Sequence, residues 1–170
     1  DMDSRVSALE QPGAAAKPAN GSAVAPVAET ASPAASVSPP TAGESADYQT
    51  AYGLLIKQGD AVGAVRLFQA FLQTYPDSAL APNAWYWLGE SYYITRNFGL
   101  ALQSFEVIGQ RFNGSSKVPD ALLKSGYCLI ELKNTTKGRA VLEQVIARYP
   151  SHPVADMARS RLRGLSLGQQ

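Results

Sequence analysis

The sequence predicts an all-α solenoid: three helical hairpins of 37 residues each, closed by a C-terminal capping helix. The first observation behind this is a fixed period. Tyr75-Pro76, Arg111-Phe112-Asn113 and Tyr149-Pro150 end three successive segments, and Asp60, Asn97 and Asn134 recur at the same interval, as do Phe68, Phe105 and Leu142. A unit of this size cannot bury its apolar face alone and must stack on copies of itself. The second observation is helical rather than alternating spacing of the apolar residues inside every unit. The third is where aromatic residues occur: all 8 Tyr, 5 Phe and 2 Trp lie at or after Tyr48, so the core belongs to the later part of the chain.

Taken in order, residues 1–10 carry Met2, Val6 and Leu9 at spacings of four and three. This fits either the end of a coiled coil lying upstream or an unstructured start. Residues 11–44 read as a disordered linker. Across positions 11–46 there are 12 Ala, 6 Pro, 5 Ser and 3 Gly, a composition that cannot offset the entropy of ordering itself. The repeat domain is expected over 45–170, long enough for one packed core.

Unit one opens with the stripe Tyr48, Ala51, Tyr52 and Leu55, and Gly59-Asp60 breaks it as a turn. Ala64, Leu67, Phe68, Phe71 and Leu72 form the second stripe, which Tyr75-Pro76 stops because proline offers no N–H and disfavours helix at its predecessor. Ser78 is placed to cap the next helix, with Pro82 in its first turn. Unit two runs Trp85-x-x-Leu88-Gly89-x-x-Tyr92, then Ala101-x-x-x-Phe105, and in order and spacing it resembles the tetratricopeptide pattern. Its glycine and alanine let the two helices approach, and Phe105 fills the space between them. Unit three repeats the pattern with Leu122, Gly126, Leu129, Gly138, Leu142 and Val145, and residues 154–165 then read as the solitary cap, with its arginines facing outward.

Charge divides near Tyr48. Six acids face Arg5 and Lys17 before it, a net of −4, while 13 bases face 8 acids after it, a net of +5. The basic residues lack the dense stripe with interleaved aromatics that nucleic acid requires, so no nucleic-acid partner is expected. Membrane insertion is not expected either, since no apolar run is long enough. Beginning at Asp1 rather than Met, the chain reads as a processed or truncated product. Cys128 and His152 are the only residues of their kinds. Cys128 reads as buried packing and His152 as loop, so no catalytic, cofactor or metal site is expected.

Partner binding is expected instead on the concave face lined by the first helix of each unit. The candidates are Gln49 and Lys57; Asn83, Tyr86, Glu90 and Tyr93; and Asp120, Leu123 and Tyr127, with Ile56 and Ile130 beside them. Tyrosines dominate because they combine large area with a polar tip. Lys57 with Asn83 would be the start of a clamp for a peptide carboxylate.

The full plan resembles a known family. A coiled-coil remnant, an Ala/Pro/Ser linker and three units bearing Tyr-Pro-Asp-Ser, Asn-Ala-Trp-Tyr-Trp-Leu-Gly-Glu and Ala-Arg-Tyr-Pro are similar to the periplasmic tetratricopeptide proteins of the Tol-Pal system, the cell division coordinator (CpoB/YbgF) family. The stretch from Tyr75 to Tyr93 carries most of the likeness. This resemblance implies a non-enzymatic periplasmic adaptor that binds TolA, touches the peptidoglycan synthase machinery and couples outer-membrane constriction to septal synthesis. It also implies a trimer through an N-terminal coiled coil. Two other readings stand beside it: an outer-membrane assembly lipoprotein of similar repeat type, and a peptide-binding co-chaperone.

Overall fold

The structure, a computed structural model, describes residues 39–167. The coiled-coil end at 1–10 and most of the linker lie outside the described residues. Among those described, seven helices follow one another: α1 (Ala42–Gln58), α2 (Ala61–Thr74), α3 (Ala81–Ile94), α4 (Phe98–Arg111), α5 (Val118–Glu131), α6 (Thr135–Arg148) and α7 (Pro153–Leu167). Helices α1, α3 and α5 are the first (A) helices of three hairpins, α2, α4 and α6 the second (B) helices, and α7 a last A-type helix.

Each A-to-B turn is built the same way. Gly59, Arg96 and Lys133, one repeat apart, take left-handed φ values of 69°, 60° and 63°, and the next residue is the N-cap: Asp60, Asn97 or Asn134. Unit one gives the left-handed position to glycine, which adopts it freely; units two and three put a long basic side chain there and bear the strain. Caps differ too. Asp60 accepts from the Gly63 N–H at 2.8 Å and Asn134 from the Lys137 N–H at 3.4 Å. Asn97 instead donates its amide to the Thr95 carbonyl and hydroxyl.

The B-to-A connections repeat as well. Tyr75, Phe112 and Tyr149 are the C-caps of α2, α4 and α6, and their carbonyls accept from Ser78, Ser115 and His152. Those three residues then accept, through Oγ, Oγ and Nδ1, the N–H two positions on: Leu80, Lys117 and Val154. Ser78 therefore serves the turn rather than acting as the N-cap, which is Leu80 with no side-chain bond. His152 does the same work before α7.

Two boundaries differ from those read in the sequence. α1 begins at Ala42, taking in three residues assigned to the linker, because Thr41 caps it by accepting from the Glu44 N–H at 3.2 Å. The Glu44 carboxylate in turn accepts from the Ser78 hydroxyl, which ties the first turn to unit two. α7 extends to Leu167.

Hairpins close on buried rings and small residues. Phe68, Phe105 and Leu142 are almost fully buried, as are Ala64 and Ala101. A Cβ on Gly89 would stand 2.6 Å from the Phe105 ring, and one on Gly126 would stand 2.8 Å from Leu142, so both glycines exist to admit the facing side chain. Each helix packs on its sequence neighbours; α1 also touches α3 and α5 touches α7, whereas α3 and α5, α2 and α4, and α4 and α6 make no substantial backbone contact.

Candidate functional site: the A-helix face

The A helices meet along one face through a ladder of charges and tyrosines. Lys124 Nζ (α5) donates to Glu90 Oε2 (α3) at 2.8 Å, with both side chains about four-fifths buried (20% and 17% exposed). Arg161 (α7) bonds Glu131 Oε1 (α5) at 2.9 Å. Each cation also lies over a tyrosine ring: Lys124 over Tyr93 at 5.6 Å and Arg161 over Tyr127 at 5.7 Å. A third pair, Lys117 over Tyr86 at 4.9 Å, sits at the start of α5. Such pairs contribute roughly 0.5–2 kcal/mol each depending on desolvation, enough to fix the rings as rigid platforms.

Burial raises the hydroxyl pKa of Tyr86, Tyr93 and Tyr127, assisted at Tyr86 by the Glu90 and Asp120 carboxylates and at Tyr93 by Glu131. All three are therefore neutral donors near pH 7. At the α5–α7 end, Tyr93, Tyr127, Asp156, Met157, Ser160 and Arg161 line an open depression of about 640 Å³. Met157 is 47% exposed there. Two buried polar atoms on this face have no partner, Glu90 Oε1 and Arg161 Nε; buried groups of this kind are normally satisfied.

The residues named from the sequence divide. Glu90, Tyr93 and Tyr127 fall together in the ladder, and Tyr86 adjoins it. Gln49 and Lys57 are exposed on α1, and Asn83 and Asp120 are half-buried in the first turns of α3 and α5. Leu123 and Ile130 do not belong to the surface: at 1% and 7% exposure they lie in the core with Leu142, Val154 and Ala158. The capping helix packs on α5 and covers them. Lys57 lies in the last turn of α1 and Asn83 in the first turn of α3. The unit-one position equivalent to Asn83 is Ala46, eleven residues before Lys57, or about 16 Å along the helix axis.

Sequence reasoning missed Lys117, Lys124 and Arg161. The signal was present for two of them, since Lys124 and Arg161 stand one repeat apart, at the slot Trp87 fills in unit two. Arg161 was expected on an outer face, and instead it turns inward. The other cap arginines bond within α7 instead, Arg159 to Asp156 and Arg163 to Ser160.

Cys128 is fully buried, and burial pushes its thiol up to about 12, the opposite of an activated cysteine. Among the described residues no group of three or more His, Cys, Asp or Glu stands close enough to hold a metal. No helix among them is long and apolar enough to cross a membrane.

Comparison with known proteins agrees with this geometry. Tetratricopeptide repeat family models match residues 54–116 and 120–152, together more than half of the chain. No curated protein matches it. Tetratricopeptide proteins bind protein partners, and their repeats are typically non-catalytic. With the hairpins, the small-residue contacts and the tyrosine-lined A face in register with those matches, the chain belongs to the tetratricopeptide repeat proteins.

Proposed function

We propose that this protein is a periplasmic adaptor of the Tol-Pal system that binds TolA on its A-helix face and helps coordinate outer-membrane constriction with septal peptidoglycan synthesis. One observation carries the binding site: two tyrosines, each under a cation, border an open depression whose lining includes Arg161, with its Nε unpartnered. Neutral aromatic donors beside fixed charges suit a protein segment that brings apolar side chains and hydrogen-bonding groups together. The partner and compartment rest on the resemblance carried by residues 75–93. Trimerisation would come from a coiled coil and not from the repeats.

The co-chaperone reading is weaker, because it needs a carboxylate clamp and Lys57 and Asn83 stand in the last turn of α1 and the first turn of α3. The test is a calorimetric titration of the full chain with the periplasmic helical region of TolA. Saturable heat supports the assignment. Absence of binding at high concentration removes TolA as the partner.

A further inference from the structure

The opposite, B-helix side of the stack carries two grooves that are copies of each other. One lies between α2 and α4 with α3 as its floor, the other between α4 and α6 above α5. Gln69, Gln73, Trp85 and Tyr92 in the first map, 37 residues on, to Glu106, Gln110, Leu122 and Leu129 in the second. The grooves arise because successive B helices make no substantial contact.

The two copies differ chemically. The second contains Glu106 and Arg148, whereas the ten residues lining the first, a cavity of about 390 Å³, include no charge at all. Outer surfaces of solenoid helices are ordinarily charged, and loss of charge marks the centre of interfaces. Its floor is apolar, with Leu72 and Leu88 at 8% and 3% exposure, and Leu100 stands at the rim 44% exposed. Around this lie neutral hydrogen-bonding groups. Gln69 donates to the Tyr92 hydroxyl at 2.8 Å, while the side-chain amides of Gln73 and Gln103 have no hydrogen-bond partner among the described residues. Trp85 adds an indole N–H that is buried and has no acceptor. A neutral pocket with an apolar floor and free amides is complementary to an apolar residue within a peptide: the side chain takes the floor, and its neutral backbone amides meet the glutamines.

We infer that the α2/α3/α4 groove is a second binding site, separate from the A face, for an uncharged peptide segment of a partner protein carrying a branched apolar side chain. This does not depend on the TolA assignment. The probe is N-acetyl-L-leucinamide, which has one such side chain between two amides, titrated into the full chain and followed by the tryptophan indole N–H resonances. The chain has only Trp85 and Trp87, so a Trp87→Phe variant assigns them. The Trp85 resonance is expected to shift saturably. The shift should demand at least tenfold more ligand with N-acetylglycinamide, which lacks the side chain, or in Leu100→Glu, whose exposed position leaves the fold intact by circular dichroism. No shift up to the solubility limit overturns the proposal. So does an equal response to N-acetylglycinamide or in Leu100→Glu, and so does a shift confined to Trp87.

Discussion

At the residue scale, small residues decide how closely the helices of a hairpin approach, and the three units do not solve this identically. Ala64 and Ala101 recur as Gly138. A Cβ there would stand 2.6 Å from Ile130 Cγ1 and 3.0 Å from the Gly126 carbonyl oxygen. Backbone cannot yield as a ring can, so Gly138→Ala is expected to destabilise the protein by about 1–3 kcal/mol despite alanine's better helix propensity. A higher melting temperature for the variant would refute that packing. The left-handed turn residues give the reverse expectation: Arg96→Gly and Lys133→Gly relieve strain and should each raise stability by up to about 1 kcal/mol, whereas Gly59→Ala should lower it. Denaturant midpoints of the three variants check this sign pattern.

Cys128 makes a pH prediction at the same scale. Its thiol is held up to about 12 by burial, from a usual value near 9.0. Below pH 9 it is protonated in folded and unfolded chains alike and contributes no pH dependence. Between about 9 and 12 the unfolded chain gives up the proton while the folded chain keeps it, so stability falls as pH rises. Cys128→Ala should make that alkaline decline shallower, and an unchanged slope in pH-dependent denaturation would contradict the assignment. The native thiol should also resist alkylation until the protein unfolds.

At the scale of elements, much was legible because the same local solution is written three times. Asp60, Asn97 and Asn134 mark the B-helix starts; Tyr75, Phe112 and Tyr149 mark their ends. What the period could not give was the strength of each copy. Asp60 makes a short cap bond, Asn134 a long one and Asn97 none of this type. Alanine at Asp60 should therefore cost about 1–2 kcal/mol, at Asn134 less, and at Asn97 least. Equal losses in thermal unfolding would mean the cap geometry is wrong. His152 was likewise read as plain loop: the period sets it where Ser78 and Ser115 stand, but an imidazole in place of a hydroxyl hid the shared role.

At the scale of the molecule, the candidate site was only partly legible. Tyr86, Tyr93, Tyr127 and Glu90 follow from knowing which side of an A helix faces inward. Leu123 and Ile130 were misplaced because their burial depends on α7, a helix outside their own repeat, and a periodic argument treats every unit as having the same neighbours. Arg161 was misplaced for the same reason: it completes the ladder from the cap. Tyr86 also proves a poor choice for testing binding, since its ring packs on Trp87 and Phe105 at centroid distances of 5.3 and 5.6 Å, so truncating it would disturb the hairpin. Tyr127, which has no such ring contact among the described residues, reports on the surface more cleanly, and because Tyr93 packs on Phe98 at 5.1 Å its truncation needs the parallel check of folding.

The central claim is that the A-helix face is where a protein partner binds. The measurement is the affinity of the Tyr93→Ala/Tyr127→Ala protein for the periplasmic helical region of TolA, beside wild type, with helicity and melting temperature followed in parallel. The account predicts at least a tenfold loss of affinity, on the order of 1.4 kcal/mol or more, with helicity retained. Equal affinity in the folded variant would contradict it and move the site off this face.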